Sequence, residues 1–364
     1  MMKKRLVAAL SAMAVAATVL AGCAKPAPEA PKPGAGDTAK KLKVGLVTDQ
    51  GGANDGSFNE AADRGIKNAA KELGVERLNP IESKQQEQYQ PNLKTMAGTA
   101  DLTVGAGFMM VESMAAIAKQ VPDKKFLIID GVVESPNVAS FLFKEHEGSF
   151  LAGVMAGKLT KTNKIGFIGG KEGEVIGRFE SGFIAGVASV NPEAAKGLMP
   201  KDAKSHGQFV KYIDDFSDQG KGKEAANMLY NAGADIIFHA AGGAGEGLFK
   251  AAQEKKLWAI GVDSDQAITK PAYKDVILYS MMKKVDVAVL DAIKNLKDNQ
   301  FPGGKVVNLG VKEGAVGISD TVHANVTAEA KDLAKKAETD IKEGKIVVPG
   351  TLDELLKFKA PALK

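Results

Sequence analysis

The sequence predicts an α/β protein built on two parallel sheets, each covered by helices on both faces. Three observations carry this reading. Short apolar runs recur at Val44–Val47, Leu102–Val104, Phe126–Ile129, Lys164–Ile168, Phe209–Ile213, Asp235–Phe238 and Trp258–Val262. Helical stretches separate them, and strand–helix alternation places parallel strands between helical layers. The number of such units in 364 residues suits two sheets better than one.

The chain opens with a targeting pattern. Met1 to Arg5 is basic, and Leu6 to about Ala21 is apolar and too short to favour a stable membrane span. Leu20-Ala21-Gly22-Cys23 then resembles the lipobox of bacterial lipoprotein signals, so residues 1–22 are expected to be removed and Cys23 to carry lipid. Cys23 is the only cysteine, which excludes an intramolecular disulfide. Two or three acyl chains would anchor the protein, since each buried CH₂ contributes about 0.8 kcal/mol. Residues 23–41 are rich in Pro, Ala, Gly and Lys, lack any large apolar side chain, and read as a flexible tether. The formal charge of +4 includes Lys3, Lys4 and Arg5; without these three, 45 basic residues face 44 acidic ones. A nearly neutral mature chain gives no electrostatic case for nucleic acid.

In the first helical stretch Phe58, Ala62, Ile66, Ala69 and Leu73 share one face, Ser57 is positioned as N-cap and Gly74 as the stop. The others are expected at 88–100, 110–120, 146–160, 175–188, 217–232, 245–256 and 284–298. A doubly wound sheet binds ligands beyond the carboxyl ends of its strands. There the sequence places a polar Gly-rich loop from Thr48 to Asn59, then Asp130-Gly131, Asp214-Asp215-Phe216-Ser217, Ala241-Gly242-Gly243-Ala244-Gly245 and Asp263-Ser264-Asp265. Carboxylates suit vicinal hydroxyls, because charge-assisted hydrogen bonds are roughly twice as strong as neutral ones. Aromatics on opposite walls suit a flat ring. Together they point to a sugar joined to a planar heterocycle.

The stretch VTDQGGANDGSFNEAADRG (47–65) resembles the opening signature of the basic membrane protein family of ABC-transporter lipoproteins, a family similar to the purine nucleoside receptor of spirochaetes. KFLIIDGVVESPNVASFLFKEHEGSFLAG (125–153), RFESGFIAGV (178–187), ADIIFHAAGGAGEG (234–247), GVDSDQ (261–266) and SMMKKVDVAV (280–289) extend the likeness over nearly all of the mature chain. The resemblance implies a type I periplasmic-binding-protein fold, with two Rossmann-like lobes and three hinge crossovers. Residues 42–145 plus 284–312 would form the N-terminal lobe, and 146–283 plus 313–364 the C-terminal lobe. The crossovers fall near 144–147, 281–285 and 311–315. It implies import of nucleosides, most often purine nucleosides, through an ABC permease and its ATPase. Carried over by residue, Phe58 and Phe216 resemble the two rings that sandwich the base. Asp49 resembles the carboxylate on the base edge, assisted by Asn59. Asp130, Asp263 and Lys283 resemble the ribose-binding set, with the backbone of Gly242 and Gly243 close by. Lys283 is expected to pair with Asp263. The segment 192–208 is longer than the family pattern and reads as a surface insertion far from the ligand.

Other chemistry finds little support. The four histidines have no metal-ligand spacing, there is no phosphate-binding G-x-x-x-x-G-K-[ST], and no G-x-S-x-G elbow is present. No cofactor, metal or catalytic residue is expected. Three readings stay beside nucleoside binding: capture of a sugar or another heterocycle on the same fold, a nucleoside-processing enzyme, and a surface antigen or adhesin with vestigial ligand binding.

Overall fold

The computed structural model describes residues 41–363; the leader, Cys23 and the tether up to residue 40 lie outside the described residues. The strands are β1 (Lys43–Thr48), β2 (Glu76–Arg77), β3 (Ile81–Glu82), β4 (Leu102–Ala106), β5 (Lys125–Ile129), β6 (Val138–Phe143), β7 (Ile165–Gly169), β8 (Val210–Tyr212), β9 (Ile236–Ala240), β10 (Trp258–Asp263), β11 (Ile277–Lys283), β12 (Val306–Leu309) and β13 (Val316–Ile318). They form two sheets, ordered β12-β6-β5-β4-β1-β2, with β3 also on β1, and β13-β11-β10-β9-β7-β8. Every pairing is parallel except that of β13 with β11.

The helices are α1 (Phe58–Leu73), α2 (Tyr89–Thr99), α3 (Val111–Gln120), α4 (Glu145–Leu159), α5 (Glu174–Val190), α6 (Pro192–Ala195), α7 (Gln219–Asn231), α8 (Glu246–Lys255), α9 (Gln266–Thr269), α10 (Val285–Lys297), α11 (Ala328–Lys342) and α12 (Leu352–Lys357). Alternation along β5 explains why its run is wholly apolar. Phe126 and Ile128 join Leu93 of α2 and Met114 of α3 in one cluster, while Leu127 and Ile129 join Ala62 and Ile66 of α1 in another. In the second sheet's layer α4 and α5 meet through glycines. A Cβ on Gly153, Gly182 or Gly186 would overlap the backbone of Phe183, His146 or Phe150.

The chain passes between sheets three times. β6 belongs to the first, but α4 packs on α5 beside the second. β11 belongs to the second, but α10 packs on α1, where Gly65 abuts the backbone of Asp286. β12 returns to the first sheet and β13 to the second.

Gly74 ends α1 in the left-handed conformation, with φ 71°. Ser57 precedes α1 but makes no capping hydrogen bond. The Asp55 carboxylate takes that role, accepting from the backbone N–H of Ser57, Asn59 and Glu60. Likewise Asp218, not Ser217, caps α7, which starts two residues later than expected. The segment 192–208 is not only surface: Ala194, Ala195 and Leu198 are buried in the second lobe's core. Its apolar residues are drawn in by α5, against which α6 packs.

Candidate functional site

The carboxyl ends of both sheets face one cavity. From the first lobe come Asp49 and Gly51 after β1, Asp55, Phe58 and Asn59 at the start of α1, Gly107 and Phe108 after β4, and Asp130 after β5. From the second come Val175, Ile176 and Phe179 on α5, Phe216 after β8, Ala240 and Gly242 at the end of β9, Val262 and Asp263 on β10, and Lys283 on β11. A larger, open groove lies on the second lobe beside His146, Arg178 and His206, but no first-lobe residue lines it.

The expected site residues Asp49, Phe58, Asn59, Asp130, Phe216, Gly242, Asp263 and Lys283 are thus brought together on one surface. Gly243 stands just outside the lining, where a Cβ would lie 3.4 Å from Phe216 O and 3.5 Å from Asp55 Cβ. Phe216 packs against Gly170, whose missing side chain makes room for the ring, and meets Phe108 edge-on at 6.5 Å.

Lys283 is buried and bonds Asp130 Oδ2 at 2.5 Å and Glu145 Oε1 at 2.8 Å. The expected Lys283–Asp263 pair does not form. Asp263 instead accepts a 2.5 Å hydrogen bond from Ser57 Oγ of the other lobe. β11 carries Lys283 towards the β6–α4 crossover, so the carboxylates of Asp130 and Glu145 are nearer than that of Asp263. Glu145 is further held by Arg178 Nε at 2.5 Å. The Lys283 ammonium also lies 5.0 Å from the Phe58 ring centroid.

The acids differ in what holds their charge. Burial pushes Asp49 up to about 6, against the hydrogen bonds from Asn59 and Gly51, and neighbouring Asp55 and Asp130 add to the rise. Burial pushes Asp263 up to about 7, against Lys283 and Ser57. Asp130 is also raised by burial, because it shares its one cation with Glu145. For Glu145 burial is outweighed by Lys283 and Arg178 together, so its value is lowered. Burial alone would lower Lys283, but Asp130, Glu145 and Asp263 outweigh it and raise it. Asp130 Oδ1 is buried with no hydrogen-bond partner among the described residues. Both Asp130 and Asp263 have positive φ, 67° and 62°. Aspartate tolerates that region better than most residues, and such strain gathers at functional sites.

Sequence reasoning missed Asp55 and Glu145. Asp55 had a signal: an aspartate four residues before Asn59 and five before Glu60 can cap the helix across Ser57. Glu145 had none, since 138 residues separate it from Lys283. No cluster of metal-ligating side chains occurs among the described residues.

Two parallel sheets, three passages between them and a cavity at their facing strand ends define a substrate-binding protein of the periplasmic-binding-protein type. An archaeal ABC transporter solute-binding protein from Aeropyrum pernix shares this fold with a TM-score of 0.74 at 27% identity, covering 87% of this chain and 96% of its own. Residues 42–351 match the family described as ABC transporter substrate-binding protein PnrA-like. The ABC transporter nucleoside-binding protein BmpA of Lactococcus lactis is 38% identical over 96% of this chain and 99% of its own length. The CD4+ T-cell-stimulating antigen of Listeria innocua is 38% identical over the same shares. The chain belongs to this basic membrane protein (Bmp) family. Its members are extracytoplasmic substrate-binding proteins of ABC transporters, not enzymes, so a small-molecule ligand and a permease with its ATPase are its partners. No described helix is long and apolar enough to cross a membrane.

Proposed function

We propose that this chain captures a nucleoside, most readily a purine nucleoside, between its lobes and is tethered outside the cell membrane by lipid on Cys23. The observation that carries the ligand reading is Asp130 Oδ1, a buried acceptor without a partner among the described residues, in a cavity walled by Phe58 from one lobe and Phe216 from the other. A hydroxyl donor satisfies that oxygen, and the two phenyl rings offer a flat ring stacking partners. Asp49, oriented by Asn59 Nδ2 at 2.7 Å, reads the donor edge of the base. Asp130 and Asp263 accept from the pentose, Lys283 holds Asp130 in place, and Gly242 and Gly243 let backbone approach the ligand. The relative named as nucleoside-binding supports the same reading.

In this proposal residues 42–145 with 284–312, and 146–283 with 313–364, move as two bodies about the three passages. The ligand first rests on one lobe and is enclosed when they meet. Calorimetry against inosine, adenosine, guanosine, cytidine, free ribose and free hypoxanthine tests it. The purine nucleosides should bind far more tightly than either half. Equal affinity for ribose alone would return the site to the sugar reading. Lipidation is tested separately: labelled palmitate should enter the parent chain and not Cys23→Ser.

A further inference from the structure

Six hydrogen bonds cross between the lobes on one side of the cavity, linking Gly56, Ser57 and Arg64 to the segment Val262–Thr269; one runs from Ser57 Oγ to Val262 O at 3.5 Å. Ser57 Oγ donates to Asp263, and Ser264 Oγ to Ser57 O at 3.3 Å. Arg64 Nη2 donates to Ser264 Oγ at 3.3 Å. Thr269 Oγ1 and Gln266 Nε2 both donate to Gly56 O, at 2.8 and 3.3 Å. Gly56 has φ +68°, a backbone conformation that side chains rarely adopt, so glycine favours this path of the loop.

Gln266 is buried, like Ser57 and Ser264, and uses both ends of its amide. Its Oε1 accepts from Val262 N at 2.8 Å and lies 3.0 Å from His239 Nε2. An amide oxygen only accepts, so His239 must carry its proton on Nε2. The ring is wholly buried, burial pushes its pKa down to about 4, and its Nδ1 has no partner among the described residues. This imidazole therefore stays neutral, in one tautomer, with a single N–H aimed at Gln266. Were the amide to flip, its oxygen would face the Gly56 carbonyl and its NH₂ would face two N–H donors. His239 and Val262 N–H between them forbid that.

We propose that Gln266 is the interlobe latch that sets how long the ligand stays enclosed, and that His239 is a positioning residue acting on it from inside the second lobe. His239 touches no cavity surface; its influence reaches the first lobe only through the Gln266 amide. The latch forms after the lobes meet, so it governs opening and not encounter. The proposal rests on the ligand reading above for its kinetic test, but the closed geometry can be read without any ligand.

The experiment uses the full chain in detergent, with inosine in stopped flow and small-angle scattering without ligand. Gln266→Met should raise the inosine dissociation rate about tenfold, the effect of losing a buried hydrogen-bonded amide, and leave association within about twofold. His239→Phe should do the same. His239→Gln, which again offers an N–H near the Nε2 position, should restore the parent rate. In the Gln266→Met background His239→Phe should add nothing, whereas a merely structural histidine would still speed release. Thr269→Val, at the half-buried edge, should speed release about threefold and keeps the test open if a core variant misfolds. Scattering should show a larger radius for Gln266→Met than for the parent. Parent-like dissociation and parent-like radius in Gln266→Met overturn the latch, and an undiminished His239→Phe effect without Gln266 overturns the positioning role. If no nucleoside binds, the ligand reading fails, while the scattering comparison still decides the latch.

Discussion

The α4–α5 seam and the interlobe cavity both depart from ordinary apolar packing, in opposite directions. At the seam side chains are missing, and Gly153, Gly182 and Gly186 let backbone rest on backbone. At the cavity Asp49, Asp55, Asp130, Asp263, Glu145 and Lys283 are all buried in a shell of phenyl rings. Close contact gains dispersion energy at each glycine. Buried charge costs desolvation that pairing only partly offsets. One helix serves both regions: α4 presents Glu145 at its first residue and Gly148, Gly153 and Gly157 further on. The seam thus holds rigid the helix whose end fixes Lys283. Stability is concentrated where no ligand goes, and spent where one does.

The comparison breaks most sharply at Lys283. Lys283→Met strands Asp130 without its cation and leaves Glu145 with Arg178 alone, and should cost about 3–5 kcal/mol of stability in urea unfolding. A loss below about 1 kcal/mol would mean the charges are not held as a unit. Gly186→Ala drives a methyl into the Phe150 backbone and should cost about 1–3 kcal/mol, with inosine affinity nearly unchanged. Phe216→Ala should show the reverse emphasis, losing about 1–3 kcal/mol of inosine affinity through lost stacking. If Gly186→Ala weakens binding as much as Phe216→Ala does, the two regions are not separable.

The smallest effect is a pH dependence confined to the cavity. The ordinary aspartate value is 3.8, and the folded values are about 6 for Asp49 and about 7 for Asp263. Below 3.8 folded and unfolded forms are both protonated. Above it the unfolded chain ionises first, so stability from these two groups is lost as pH rises through about 6 and about 7. Asp263→Asn cannot ionise, and should gain stability relative to the parent between pH 5 and 8, tracked by thermal melts. A difference that stays flat with pH would place Asp263 in water. Gly186→Ala should show no such trend.

Much of the scaffold was legible because it is periodic. Phe58, Ala62 and Ile66 mark α1 by spacing alone, and Gly74 marks its end. The runs at Val44 and Phe126 mark central strands because both faces are covered. Edge strands other than β8 were not legible. β12 alternates exposed and half-buried residues, with Val306 45% exposed, and β13 is three residues long and antiparallel. Neither carries a pattern that separates it from a loop. β6 and β11 were missed for a different reason: each runs straight into a passage between the sheets, where strand and helix signals merge.

The candidate site divides in the same way. Acids, phenylalanines and glycines at strand ends could be named from sequence, because parallel topology sends those positions to one side. Their partners could not. Ser57 reads as a helix cap, yet Asp55 caps the helix and frees Ser57 to reach Asp263. Lys283 reads as a partner for Asp263, yet bonds Asp130 and Glu145, 153 and 138 residues away.

The order of residues determined the local elements, the apolar faces and the chemical kinds of group offered at the strand ends. Those depend on a few neighbouring positions and the periods of helix and strand. Which carboxylate shares the lysine, which amide bridges the lobes and which glycines touch backbone were decided only when distant segments packed. Such pairings depend on distances of a few ångströms that no local pattern encodes.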